Sequence, residues 1–221
     1  MPRVARALAD DQIYHIINRG NRREKIFHDE YDFTKILELF SKAKDRFRIK
    51  IYAYCLMDNH YHLVLYTEYG KSLSECMQWI GTSYVRYYNK RYKTSGHLWQ
   101  GRYKSFIVQK ESYFISLIKY VEANPLRANI VKDASEYKYS SLIQRDRKEQ
   151  NLLDALPVEI PSNWIDFVND VEKESDIEII RNSINRQAPL GEQGWQEIMC
   201  ERYGIESSIR ARGRPKKDDL E

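Results

Sequence analysis

IKIYAYCLMDNHYHLVLYT, residues 49–67, reads as two strands joined by a tight turn. β-Branched and aromatic residues fill both halves, 49–57 and 61–67, and Asp58-Asn59 between them is a turn pair, so a hairpin is expected. Upstream, residues 12–18 (QIYHIIN) have the same character and read as another strand. A basic loop with a turn signal follows, Arg19-Gly20-Asn21-Arg22-Arg23. Asp29 is placed to cap a helix over about 31–47, in which Phe33, Ile36, Leu37, Phe40 and Ala43 recur near the helical period and should face the core. Lys35, Glu38, Lys42 and Asp45 then lie toward solvent. Downstream, Ser72 opens a long helix over about 73–92, and a Gly-containing loop spans 94–101. Residues 103–109 read as a fourth strand, and Glu111-Ser112 begins a helix running to Ala123. Pro125 biases Asn124 away from helical geometry and marks the expected end. The order β-α-β-β-α-β is that of an α+β, ferredoxin-like split β-α-β sheet with antiparallel strands, and the last helix packs beside it.

Beyond about residue 148 the pattern changes. Residues 135–141 look like a return segment, and 163–172, 176–184 and 190–203 read as three short helices. Trp164, Phe167, Ile177, Ile180, Ile184 and Trp195 are the candidates for a small core among them. The chain of 221 residues is therefore divided into a domain at 1–148 and a helical extension at 149–221 with a basic tail. No run of about 18 apolar residues exists, and the start does not read as a secretory signal, so no membrane contact and a cytoplasmic location are expected. Cys55, Cys76 and Cys200 are odd in number and widely spaced, which supports ordinary buried thiols over a disulfide framework or a thiolate zinc site.

The formal net charge of +4 is small, but its distribution is not even. Residues 76–110 hold no Asp or Glu and seven cations, with Trp79, Tyr84, Tyr87, Tyr88, Tyr92, Trp99, Tyr103 and Phe106 interleaved. Cations neutralise phosphates and rings stack on unpaired bases, so the segment suits a nucleic acid. It equally suits a solvated basic face over an aromatic core.

His60 and His62 are two apart. On a strand both imidazoles project from one face, where they can chelate a divalent ion. A hydrogen-bonded histidine pair has the same spacing. Tyr120 and Asn124 are four apart and share one face of the following helix if its last turn stays helical, which puts an amide oxygen and a phenol together. A phenol ionises near pH 10, so its anion costs about 4 kcal/mol at pH 7, and a tyrosine nucleophile needs help. A divalent ion that polarises the phosphate under attack supplies help of that size. Tyr113, seven residues earlier on the same face, is a rival nucleophile.

The ensemble resembles a known family. Residues 57–64, Met-Asp-Asn-His-Tyr-His-Leu-Val, resemble the His-hydrophobic-His (HUH) segment of the single-tyrosine transposases. Residues 120–128, Tyr-Val-Glu-Ala-Asn-Pro-Leu-Arg-Ala, resemble their tyrosine helix, in the form of the REP-associated tyrosine transposases. Two further blocks agree, 19–27 with the N-terminal loop and 96–105 with the central loop. One departure is Tyr61, a bulky middle residue whose ring is expected to pack in the sheet.

The resemblance implies an HUH fold and a metal-dependent single-strand DNA endonuclease and strand transferase that forms a 5′-phosphotyrosine intermediate. It implies Tyr120 as nucleophile, His60, His62 and Asn124 as ligands of Mg²⁺ or Mn²⁺, and single-stranded or hairpin DNA as substrate. A monomer or homodimer is expected. Arg19, Asn21, Arg22, Trp99, Arg102 and Lys104 are the candidate DNA contacts. Arg212 and Arg214, in the run Arg-Gly-Arg-Pro, resemble the core of an AT-hook that reads a narrow minor groove; a disordered tail is the alternative. Two other functions fit the same residues: a transposase-derived protein that binds DNA hairpins without cutting, and a metal-dependent phosphoesterase that uses water.

Overall fold

The structure is a computed structural model that describes residues 7–147, 152–170 and 173–210. Four strands, β1 (Gln12–Arg19), β2 (Ile49–Met57), β3 (His60–Thr67) and β4 (Lys104–Val108), form one antiparallel sheet in the order β2-β3-β1-β4. This is the ferredoxin-like arrangement expected from the element order.

The strands are buried on both faces, and alternation sorts their side chains into two cores. Tyr14, Ile16, Tyr54, Leu56, Tyr61, Leu63, Leu65 and Ile107 pack against helices α1 (Glu30–Phe47) and α2 (Gly70–Tyr92). Ile13, Ala53, Cys55, Val64, Phe106 and Val108 face the other way, toward Phe114, Leu117, Ile118 and Val121 of helix α3 (Ser112–Glu122). Tyr61 is buried in the first core, edge-on to Phe40 and Trp99. Its ring thus packs as expected, and its two histidine neighbours turn to the α3 face. All three cysteines are buried and free.

Most element boundaries follow local signals. The Asp29 carboxylate accepts from the backbone N–H groups of Tyr31 and Asp32 and starts α1. Helix α2 begins at Gly70, earlier than Ser72 suggested, because the Asp10 carboxylate accepts the Gly70 N–H at 2.7 Å from sixty residues away. Helix α3 ends at Glu122, within one residue of the expected stop. After a single non-helical residue, Ala123, a separate short helix α4 (Asn124–Arg127) begins, with Pro125 in its first turn, where the missing N–H costs nothing.

The basic aromatic segment is largely structural. Tyr84, Tyr103 and Phe106 are buried, and Arg91 is tied to Asp29 and to the fully buried Asp32, which also accepts from Tyr87 and Tyr92.

The rest of the chain wraps the sheet. Helices α5 (Ser141–Asp146), α6 (Trp164–Asn169), α7 (Glu174–Arg186) and α8 (Gln193–Tyr203) complete the described elements. Trp164, Ile177 and Ile180 join the core beneath α3, and Trp195 packs on the opposite one, so they do not form a core among themselves. The return segment, together with Asp154 beyond it, covers the outer edge of β2. Leu56 N–H reaches Tyr139 O, Tyr54 N–H reaches Ser141 Oγ, and Ile51 and Asp154 exchange bonds. Leu190 does the same for β4 through Ile107 and Gln109. Both edges are thereby closed to pairing with another chain.

Candidate active site

Strand period and register build the site. His60 and His62 leave β3 on the α3 face, with ring centroids 5.2 Å apart. The hairpin turn beneath them is clamped: Asp58 O accepts from Ile26 and Phe27, and Asn59 O accepts from Gly20. Arg19 O and Gly20 in turn contact Gln100 and Trp99, so the basic loop and the central loop meet at the turn.

Each imidazole has a defined partner. Asn59 donates its Nδ2 to Arg23 O at 3.1 Å, so its Oδ1 faces His60 Nδ1 at 2.7 Å. An amide oxygen only accepts, so the His60 proton sits on Nδ1 and Nε2 keeps its lone pair. His62 Nδ1 lies 2.9 Å from Nε2 of His15 on β1. His15 is fully buried and His62 nearly so. Burial pushes His15 down to about 3 and His60 to about 4, and holds His62 well below its ordinary value. For His62 the neighbouring His15 and His60 and the guanidinium groups of Arg127 and Arg19 act in the same direction. All three rings are neutral at pH 7, the state in which imidazole is a ligand.

Tyr120 projects from the last turn of α3 to the same place. Its ring stands edge-on to His62, centroids 6.0 Å apart, and is 7% exposed. The Arg127 guanidinium lies 3.9 Å from the Tyr120 ring centroid, and its Nη2 donates to Tyr120 O. Asn124 Nδ2 donates to the same carbonyl at 3.2 Å, which leaves Oδ1 as its acceptor atom. Tyr120, Asn124, His60 and His62 all line one cavity of about 570 Å³. Arg19, Arg23, Arg102 and Lys104 share its wall, and among the described residues no carboxylate does. Tyr113 faces a different pocket, with Ser116, Asp176 and Leu190.

Among the described residues no group of three or more His, Cys, Asp or Glu side chains is placed to hold a metal ion. The donor set is instead two neutral imidazoles with hydrogen-bonded Nδ1 atoms and an amide oxygen, which fits a divalent cation with coordination positions left for substrate oxygens.

Of the DNA contacts read from the sequence, Arg19, Arg102 and Lys104 reach the cavity, and Lys104 Nζ is 3.3 Å from Ile184 O. Asn21 and Arg22 are exposed on the loop outside it. Trp99 packs against Tyr61 and Tyr84, with its indole N–H on Gly81 O, and lines a groove against α2. Arg212 and Arg214 lie outside the described residues. Sequence reasoning missed His15, Arg23, Arg127, Ile184 and Asn185. His15 shares the alternation of β1, and Arg127 is seven residues from Tyr120, so both had a signal; the last two come from α7 and had none.

A protein-family model described as "Transposase IS200 like" matches residues 9–124, more than half of the chain. The chain belongs to the IS200-like transposase family. A solved structure of a REP-associated tyrosine transposase bound to a REP hairpin is similar to this family member, with TM-score 0.57 and 15% identity over 73% of this chain and 96% of that one. A putative transposase from Deinococcus radiodurans is also 15% identical, over 70% of this chain and 100% of its own, with TM-score 0.37. No curated protein matches. The first likeness supports the fold, and the family match makes this a protein of DNA-processing lineage. No helix among the described residues is long and apolar enough to cross a membrane.

Proposed function

We propose that this transposase-family protein nicks one strand of DNA with Tyr120 and holds the cut end as a 5′-phosphotyrosine until another end replaces it. The observation that carries the reading is the meeting of Tyr120, His60, His62 and Asn124 in one cation-walled cavity, with no carboxylate among the described residues that line it. His60, His62 and Asn124 would hold Mg²⁺ or Mn²⁺, which when bound supplies a Lewis acid toward the scissile phosphate.

The chain's own residues do the rest. Arg19, Arg102 and Lys104 draw the strand in and balance its phosphates. Tyr120 Oη bonds to phosphorus as the bond from phosphorus to the 3′ oxygen breaks; the phenol proton passes to solvent, and the departing oxygen ends as a 3′ hydroxyl. Arg127 keeps a positive charge beside the ring that gives up the proton. One phosphodiester is exchanged for another, so rejoining needs no nucleotide cofactor. The substrate is single-stranded or hairpin DNA, a reading supported by the REP hairpin on the structural relative. All four residues meet within one chain, which supports action as a monomer over a homodimer that exchanges the tyrosine helix.

The test is incubation of the protein and Mn²⁺ with end-labelled hairpin DNA, followed by denaturing electrophoresis. A protein-linked adduct is expected with wild type and with Tyr113→Phe, and none with Tyr120→Phe. An adduct that survives Tyr120→Phe overturns the nucleophile. Cleavage without an adduct would mean water attacks, and EDTA-resistant binding without cleavage under any metal would mean a hairpin-binding protein.

A further inference from the structure

The sequence motifs supply two histidines, both on β3, yet a third histidine completes the arrangement. In the β1–β3 register His62 stands opposite Ile17, and His15 is two residues from Ile17 on the same face. That diagonal brings His15 Nε2 to 2.9 Å from His62 Nδ1, with the rings stacked at 5.1 Å and 21°. Phe106 closes the other side of His15 edge-on, and the ring is fully buried.

His15 Nδ1 has no hydrogen-bond partner among the described residues. A buried polar atom left unpaired costs about 1–3 kcal/mol, and an aliphatic or aromatic residue at this point of the core would avoid that cost. Among the described residues the contact with His62 is the hydrogen bond that the imidazole makes here.

Two neutral imidazoles share one proton across such a contact, so there are two arrangements. If His15 donates, His62 points an Nε2–H away from the contact. If His62 donates from Nδ1, its Nε2 carries a lone pair. The contact takes up Nδ1 of His62, so a cation can be met only through Nε2, which has a lone pair free in the second arrangement alone. His60 has already been fixed the same way by Asn59.

We propose that His15 is a positioning residue: by accepting the Nδ1–H of His62 it fixes the tautomer and ring orientation in which His62 can bind a divalent cation. The role rests on the metal assignment made above for His60, His62 and Asn124. It makes the two halves of the ligand pair equivalent, each imidazole donating from Nδ1 to a protein acceptor, one an amide oxygen and the other an imidazole nitrogen. Outer partners of this kind orient the ligand, and their loss typically weakens metal binding about 10–100-fold.

The test uses the full chain in two measurements. In the metal-free protein with ¹⁵N-labelled histidine, long-range ¹H–¹⁵N spectra read the tautomers directly. His62 is expected to carry its proton on Nδ1 in wild type and in His15→Gln, whose amide oxygen can accept, and to lose that preference in His15→Phe. A proton on Nε2 of His62 in wild type, or an Nδ1 proton unaffected by His15→Phe, overturns the proposal. In the second measurement Mn²⁺ affinity is titrated calorimetrically at pH 7, with thermal melts run in parallel. His15→Phe should bind Mn²⁺ about 10–100-fold more weakly while His15→Gln stays within about fivefold of wild type. A merely structural His15 would lower both melting temperatures and leave the affinities alone, which also overturns it. If His62→Ala leaves Mn²⁺ binding unchanged, the metal assignment itself falls, and the positioning role with it, even where the tautomer is as stated.

Discussion

Glu122 sits two residues past the candidate nucleophile and is fully buried, with three side chains donating to it. Its Oε1 accepts from Arg145 Nη2 at 2.8 Å and from Ser141 Oγ at 2.6 Å, and its Oε2 accepts from Trp164 Nε1 at 2.7 Å. Ser141 Oγ is itself committed, because it accepts the Tyr54 N–H. Each of these neighbours of the carboxylate is thus a donor. Glu122→Gln keeps the shape but places an NH₂ against donors on one side, and it leaves the Arg145 charge, 12% exposed, without its counterion. Breaking a buried pair from one side costs about 3–5 kcal/mol, a large share of the 5–15 kcal/mol that typically holds a domain together. With a urea slope of about 2 kcal/mol per molar, the unfolding midpoint should fall by about 2 M. The assay is urea denaturation at pH 7 followed by far-UV dichroism. Glu122→Leu with Arg145→Met removes both charges and should recover more than half of the loss, since the penalty lies in the stranded charge and not in the absence of a bond. A loss below about 1 kcal/mol for Glu122→Gln, or no recovery in the double variant, would refute the claim that this pair locks the tyrosine helix to α5 and α6.

The remaining predictions are shorter. The unfolded chain protonates His15 below about pH 6.5, whereas the folded protein resists down to about 3, so stability is lost as pH falls through that window. At pH 4.5 this amounts to about 3 kcal/mol for His15, and the drop in urea stability between pH 7 and pH 4.5 should be smaller by that amount in His15→Phe. A Cβ on Gly20 would meet Glu24 O at 2.4 Å and the Ile26 side chain at 2.7 Å, so Gly20→Ala should cost about 1–3 kcal/mol in thermal unfolding and loosen the loop that clamps the His60 turn. Lys104→Ala should weaken binding of single-stranded DNA, measured by fluorescence anisotropy in EDTA. It should also flatten the plot of log affinity against log salt by about 0.7; an unchanged slope would mean that Lys104 meets no phosphate.

The features legible in the sequence are those decided locally or by a fixed period. The hairpin at 49–67 was legible because alternation and a turn pair are properties of adjacent residues. His60 with His62, and Tyr120 with Asn124, were legible because strand and helix periods put each pair on one face. The start of α2 was not, since the group that caps Gly70 is Asp10, sixty residues upstream. The partner of His62 was legible only in part: alternation puts His15 on the right face of β1, but which residue of that face meets His62 depends on strand register across 47 residues. Tyr113 and Tyr120 were equivalent by period. The structure separates them along the axis: seven residues at 1.5 Å rise carry Tyr113 about 10 Å away, to a pocket that it shares with Asp176, Ile179 and Ile180 of α7.

The cavity is also not confined to the part of the chain that carries the family motifs. Ile184 and Asn185, at the end of α7, complete its wall, and Lys104 is held by the carbonyl of Ile184. The same extension closes the β4 edge through Leu190 and holds Glu122 through Trp164. A helix that both walls the cavity and is packed beneath the tyrosine helix couples the shape of the opening to the stability of the face that carries Tyr120. Substitutions at Asn185 should therefore change which strand is accepted, whereas substitutions at Ile177 or Ile180, buried in the core under α3, should change how much folded protein there is to accept it. Selection on hairpin libraries with Asn185→Ala and Ile180→Ala separates the two: a shifted sequence preference at unchanged melting temperature for the first, and an unchanged preference with a lowered melting temperature for the second. A preference shifted equally by both would mean that α7 acts on the site only through packing.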